Sequence, residues 1–472
     1  MPLLKKSLLC ALALSTPAAW AVSPADGEPG QVLIFPYYNA HDGRDSLISI
    51  TNTRSDVSVA LAISTSGIEA DQPTNFVVYL PPSATWSAAI TAESEDQAVL
   101  VSNDSSCRYP AQDFQQLPRI PLSGFVTAYE LGVLQPQTEL GAAVLPTARA
   151  WGDSTESQRQ ARADCTQISA AWAEGGVWTS NPDRDIEAPR NSLTGHLQVI
   201  DQTRGLGFRV EPYVLQDFSE LALHRDPRTD PANLDKASPA VSQVELAGET
   251  LTSQWTRGVD AVSAVLMSRR ASSDVWLLPE VVAHTDLILT FPTLEFYSTE
   301  QPGPFATNGL LDNGLYLNFD VRDRNGLPQQ SSLGPIICDP PPPPQDRRIR
   351  LESSVMGFSS STVDPLQPDA HPLSYTGAAP GCGGIYSAAL PESFSGRLSA
   401  FSPLIDDSYG EPSVRLRSVE GHEYRGLPGL MSTLVRVKTS QDALPPGFTA
   451  YSYGFSLPVQ YRREVVQPDN DR

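Results

Sequence analysis

In the stretch VSVALAIS, Val57, Val59, Leu61 and Ile63 fall on one side of an extended chain, with Ser58, Ala60, Ala62 and Ser64 on the other. Successive side chains of an extended backbone point to opposite faces, so this alternation predicts a strand with one buried face. The same pattern closes the chain in AYSYGFSLPVQYRR, where Tyr451, Tyr453, Phe455, Leu457, Val459 and Tyr461 share a side. Further strands are predicted at 76–80, 124–131, 195–201, 205–214, 286–291, 413–418 and 433–438. Between 195 and 214 the turn QTRG predicts a hairpin in which Leu197 and Val199 face Phe208 and Val210. Strands with one apolar and one polar face are those of antiparallel sheets with a solvated side.

One segment has a helical period. From Asp153 to Gly176, Ala161, Cys165, Ile168 and Trp172 recur at helical spacing, with Asp153 and Glu156 as a capping pair and Gly175 as a stop. VDAVSAVLMSRR at 259–270 fits both periods. With 42 prolines and 32 glycines punctuating short strands, the expected fold is mainly β. We expect antiparallel β-sandwich domains of immunoglobulin-like type with a short helical insertion. The expected divisions are a first sandwich at 22–145, a helical connector at 146–191 and a second β-rich domain at 192–465. The proline run Pro340 to Pro344 reads as a stiff polyproline II loop, and 466–472 as a disordered tail.

The first 21 residues change where these domains are expected to act. Lys5 and Lys6 precede an apolar run, and Ala19 and Ala21 occupy the small-residue positions of a signal-peptidase site. Export to the periplasm or cell surface is the expectation, with residues 1–21 removed. Cys10 lies inside the apolar run and lacks the setting of a lipoprotein cysteine. No later run approaches the roughly 20 apolar residues of a spanning helix. A formal charge of −21, with Lys5, Lys6, Lys236 and Lys438 the only lysines, disfavours nucleic acid and anionic lipid as partners. The preference for arginine over lysine is read as compositional. Four cysteines remain after the leader, and spacing favours Cys107 with Cys165 and Cys338 with Cys382 over pairings that cross the long gap between them. Each bridge would contribute roughly 4 kcal/mol in the chain-entropy account.

Several segments together carry a resemblance: VLIFPYY followed by SLISITNT, then YLPPSATWSAAI, SSCRYP, DCTQISAAWAEGG, TDLILTFPTLEFY, GLPG and YSYGF, in order along most of the chain. On these the chain resembles a family of uncharacterised exported bacterial proteins with an N-terminal β-sandwich segment. The resemblance implies a fold and a location, and carries over no functional residue.

Catalytic signatures are sparse. No Gly-x-Ser-x-Gly occurs, Asp153 and Ser154 read as helix caps, and His41, His196, His224, His284, His371 and His422 are scattered with no His-Glu-x-x-His. Among acidic clusters, Asp42 and Asp45 read as a hairpin turn with Asp42-Gly43 as its tight connection, Asp183, Asp185 and Glu187 form a second group, and Asp226, Asp230 and Asp235 have the oxygen-ligand spacing of a calcium loop interrupted by Arg225 and Arg228. Calcium is the one cofactor considered. In GQVLIFPYYNAHDGRDSLISITNT, Pro36 cannot donate to a sheet ladder, so a bulge, an end or an edge is expected there. Tyr37, Tyr38 and Trp86 are then either packing residues or ligand-contacting rings. A recurring Phe-Pro after the strand at 286–291 favours a structural device. The expected role is a non-catalytic envelope or surface protein of structural, adhesive or interaction type, with envelope proteins or surface glycans as partners. The alternative is a carbohydrate-binding module or carbohydrate-active enzyme, suggested by Trp86, Trp151, Trp178 and Tyr37.

Overall fold

The computed structural model describes residues 20–25, 27–67, 74–110, 119–145, 165–203, 205–278, 283–297, 303–305, 318–328, 353–360, 385–390, 394–402, 415–438 and 452–468. Cys338, Cys382, the proline run, Trp151, most of the leader and residues 469–472 lie outside them.

Mainly β structure follows from the alternation. A seven-stranded antiparallel sheet runs in the order Ser23–Pro24, Tyr213–Gln216, Val32–Asn39, Ser123–Leu134, Ser58–Gly67, Thr74–Leu80, Cys107–Tyr109. A six-stranded sheet packs on it in the order Leu206–Val210, Leu193–Asp201, Arg44–Asn52, Thr85–Ala92, Ala98–Val101, Arg119–Ile120. Between the two, Val57, Val59, Leu61 and Ile63 meet Ile48, Ile50, Trp86 and Ile90. Each such aliphatic side chain contributes on the order of 1.5–3 kcal/mol on burial. The hairpin register is the expected one, Leu197 opposite Val210 and Val199 opposite Phe208. Sheets of seven and six strands exceed the four and three of a constant-type immunoglobulin sandwich.

Two expectations are corrected. The strands between 193 and 216, assigned from sequence to the second domain, belong to the sheets of the first sandwich. The polar-looking side of Ser58–Gly67 is not solvated: Ala60 and Ala62 are buried under a layer that includes Trp172 and Trp178. Small side chains there leave room for large rings. The last described strand is Glu464–Val466, and residues 469–472 of the expected tail lie outside the described residues. Of the segment expected to be helical from Asp153 to Gly176, the described part holds the helix Cys165–Trp172, with Ile168 and Trp172 buried, while Asp153, Glu156 and Ala161 lie outside the described residues; a short helix Val177–Ser180 follows the expected stop, and the ambiguous stretch after 257 opens with the helix Gly258–Leu266.

A second pair of sheets follows. A four-stranded sheet runs Asn318–Asp323, Phe394–Ser402, Arg270–Leu277, Gln460–Arg462, and a five-stranded one runs Ile385–Leu390, Ser353–Ser360, Ala283–Thr290, Leu430–Lys438, Ser452–Leu457. Only Ser353–Ser360 and Ile385–Leu390 pair in parallel among these described strands. Val275, Leu277, Val321 and Leu398 from the first sheet pack against Leu287, Leu289, Phe358 and Met431 of the second. The alternating run at the end of the chain is therefore split between two sheets, and it breaks at Pro458, which has no N–H to donate.

Candidate functional site

The Phe-Pro-Tyr-Tyr segment joins the two halves. The strand Val32–Asn39 lies inside its sheet, and its register against Ser123–Leu134 shifts so that Phe35 opposes Val126 while Tyr38 opposes Gly124. Two residues, Pro36 and Tyr37, thus stand against Phe125 alone, which is the expected bulge. The extra residue puts Phe35 and Tyr38 on the same face, in the core of the first sandwich. Tyr38 Oη donates to the Pro121 carbonyl at 3.1 Å, and burial, with neighbouring Tyr37 second, raises its phenol far above the ordinary value. Tyr37 turns the other way, packing with Leu206 and Phe208 of the first sandwich and Ile288, Val355 and Leu434 of the second. Its hydroxyl accepts from Asn39 Nδ2 at 2.8 Å. The carbonyl freed at Pro36 accepts from Thr290 Oγ1 at 2.6 Å and Ser353 Oγ at 3.3 Å, both in the second sandwich. Asp42 and Gly43 form a tight left-handed turn, at φ 53° and 75°, but the expected hairpin is corrected: the turn leads from one sheet to the other.

Trp86 is also interior, 2% exposed and 6.0 Å from the Phe76 ring. Trp178 lies flat on Tyr79 with centroids 5.4 Å apart and donates Nε1–H to the Arg184 carbonyl. These rings meet Trp172 and His224 beneath the disulfide between Cys107 and Cys165, which ties the edge strand Cys107–Tyr109 to the helix Cys165–Trp172. Arg228 stands over the Tyr109 ring at 5.1 Å.

The three aspartates considered for calcium each meet a different partner. Asp226 is paired with Arg228 at 2.6 Å, and that hydrogen bond lowers its pKa. Asp230 pairs with Lys236. Asp235 Oδ1 accepts from the Val259 N–H at 3.0 Å, where the helix Gly258–Leu266 begins, with Arg257 at 3.8 Å. Asp230 and Asp235 do line one cavity of about 520 Å³, together with Asp183, Arg225 and Lys236. Among the described residues no three His, Cys, Asp or Glu side chains gather as a metal would require.

A different arrangement appears on the outer face of the four-stranded sheet. Strand pairing lines up three rows of outward side chains. Arg270 stands opposite Arg462. One step along, Gln460, Ser272, Ser399 and Asp320 form a row across all four strands. A further step along, Asp274, Arg397 and Arg322 form the third. Steps of two residues separate the rows by about 7 Å, and neighbouring strands are about 4.8 Å apart. Together Arg270, Ser272, Asp320, Arg322, Arg397, Ser399, Gln460 and Arg462 line a cavity of about 350 Å³. Arg322 Nε binds Asp320 Oδ2 at 2.8 Å, Arg397 Nη2 binds Gln460 Oε1, and the Ser272 and Ser399 hydroxyls are 2.8 Å apart. Among the described residues, no carboxylate pairs with Arg270 or Arg462.

Sequence reasoning missed these arginines. Each strand does show the i, i+2 spacing that puts its polar residues on one face, as in Arg270-x-Ser272 and Asp320-x-Arg322. Nothing local shows that strands near 270, 320, 397 and 460 become neighbours. Compared with models of known protein families, with curated proteins and with solved structures, the chain matches none.

Proposed function

We propose that the protein is an exported, disulfide-stabilised, non-catalytic binding protein of the bacterial envelope, which presents the outer face of its second sandwich to an anionic partner. The observation that carries this reading is the direct cross-strand opposition of Arg270 to Arg462; the opposition of Arg322 to Arg397 is offset by Asp320 and Asp274. Like charges in register across a sheet destabilise it. In a chain with 33 basic and 54 acidic residues, many carboxylates are there to separate or neutralise such pairs. That Arg270 and Arg462 stay together with no carboxylate partner among the described residues is explained by a ligand that supplies the negative charge. Guanidinium forks suit this task, since they bind carboxylate, sulfate or phosphate through two parallel hydrogen bonds. Support for export comes from the leader pattern at 1–21 and from the cross-link between Cys107 and Cys165.

The test is binding of the purified protein to polygalacturonate, a sulfated glycan and polyphosphate, with dextran as the neutral reference. Binding to an acidic polymer that weakens steeply as salt rises from about 50 to 200 mM, and that the R270Q/R462Q variant loses, supports the proposal. Equal affinity for dextran, or no affinity for any of the anions, rejects it.

A further inference from the structure

From the hydrogen-bonding capacity left unused in the arginine-lined cavity we infer that its ligand is a sugar acid, recognised both by its carboxylate and by its ring hydroxyls. This rests on the anion-binding reading above and narrows it. The internal bonds of the cavity consume some of its groups and leave others. Asp320 gives Oδ2 to Arg322, which leaves Oδ1 as an acceptor. Gln460 gives its carbonyl oxygen to Arg397, which leaves the two N–H donors of its amide. The Ser272 and Ser399 hydroxyls share one hydrogen bond, which leaves one O–H hydrogen and lone pairs on both oxygens. Arg270 and Arg462 keep their whole forks, with no hydrogen-bonding partner among the described residues.

Beside the remaining guanidinium N–H groups of Arg322 and Arg397 in the third row, the free groups form two zones about 7 Å apart along the strands. The Arg270 and Arg462 row offers donors only and carries two positive charges. The Gln460, Ser272, Ser399 and Asp320 row offers donors and acceptors alternately, next to a carboxylate. An inorganic anion uses the first zone and is repelled by Asp320 in the second. A neutral sugar uses the second and leaves the arginines unmatched. A sugar acid uses both: the acid group lies in the arginine forks, the hydroxyls of the same ring accept from Gln460 Nε2, and Asp320 Oδ1, three strands across the sheet from Gln460, accepts from a hydroxyl of the adjoining sugar. A cavity of about 350 Å³ is in the range of small-ligand sites.

The experiment is titration calorimetry at fixed ionic strength with trigalacturonate, its neutral counterpart, inorganic phosphate and tri-glutamate. We expect trigalacturonate to bind on the order of tenfold or more tightly than the other three, as one or two hydrogen bonds to charged groups supply. The R270Q/R462Q variant should lose trigalacturonate binding. D320N should weaken trigalacturonate by on the order of tenfold while leaving phosphate unchanged or slightly tighter, because it removes an acceptor and a negative charge together. Gln460→Ala should act in the same sense on the sugar. Circular dichroism spectra matching the wild type confirm that each variant is folded. If phosphate or tri-glutamate binds as well as trigalacturonate, or if D320N affects sugar and phosphate alike, the sugar-acid inference is overturned while anion binding stands. If none of the anions binds, the broader proposal falls with it.

Discussion

Lowering the pH should destabilise the protein through one histidine in particular. His224 is fully buried, and burial lowers its pKa from 6.5 to about 4, with Asp183 acting upward and Arg225 downward. Its surroundings fix the neutral tautomer. Nδ1–H donates to the Pro182 carbonyl at 2.7 Å, so Nε2 accepts from the Tyr79 hydroxyl at 2.8 Å, and that oxygen in turn accepts from Trp172 Nε1–H at 2.8 Å. Protonating His224 points a second N–H at an oxygen that already accepts one, and leaves the Tyr79 hydrogen without a partner. The folded pKa lies below the unfolded one, so the unfolded chain binds the proton first and stability falls as pH drops from about 6.5 towards 4. A shift of that size corresponds to about 3 kcal/mol in full, of which about 2 kcal/mol is lost by pH 5. Urea unfolding of the wild type and of His224→Gln at about pH 7.5 and pH 5 isolates this contribution. His41, also lowered to about 4 chiefly by burial, titrates equally in both proteins. The wild type should lose about 2 kcal/mol more than the variant over that interval. Equal losses would refute the claim that the native state keeps this ring neutral.

Three further outcomes follow from the same packing. Cys165→Ala, which opens the bridge closing 58 residues of sequence separation, should lower stability by about 4 kcal/mol or somewhat less, read from thermal unfolding against wild type with and without reductant. Gly454→Ala would place a Cβ 2.2 Å from Phe208 Cε1 and should cost about 1–3 kcal/mol in an unfolding titration. That cost should largely vanish in a Phe208→Ala background, which a double-mutant cycle measures. Arg44→Met leaves Asp201 buried without its ion-pair partner at 3.3 Å and should cost about 3–5 kcal/mol, partly recovered by Arg44→Met with Asp201→Leu, again by chemical denaturation.

What the sequence disclosed and what it concealed divide along the range of the interaction. The hairpin around 201–206 was legible because both strands and the turn lie within 20 residues of chain. The bulge at Pro36 was legible because a residue without an N–H leaves few choices inside a sheet. That Tyr37 and Tyr38 serve packing on opposite sides of that bulge depends on a second sandwich supplied by residues 254 or more positions after Pro36, through Thr290 and Leu434. Ser58, Ala60, Ala62 and Ser64 looked solvated because they are small and partly polar, whereas Ala60 and Ala62 are small because large rings cover them. The His224 network joins residues 145 apart, and the arginine rows join strands that only the topology makes neighbours. Local pattern specifies elements and faces; the site arises from which faces the chain brings side by side.

The central claim is that Arg270 and Arg462 receive the acid group of a ligand. A crystal structure of the protein with trigalacturonate tests it most directly. The claim predicts a carboxylate held in the forks of both arginines at about 2.8 Å, with a ring hydroxyl on Asp320 Oδ1. Sugar bound elsewhere, with Arg270 and Arg462 unoccupied at saturating ligand, would contradict it.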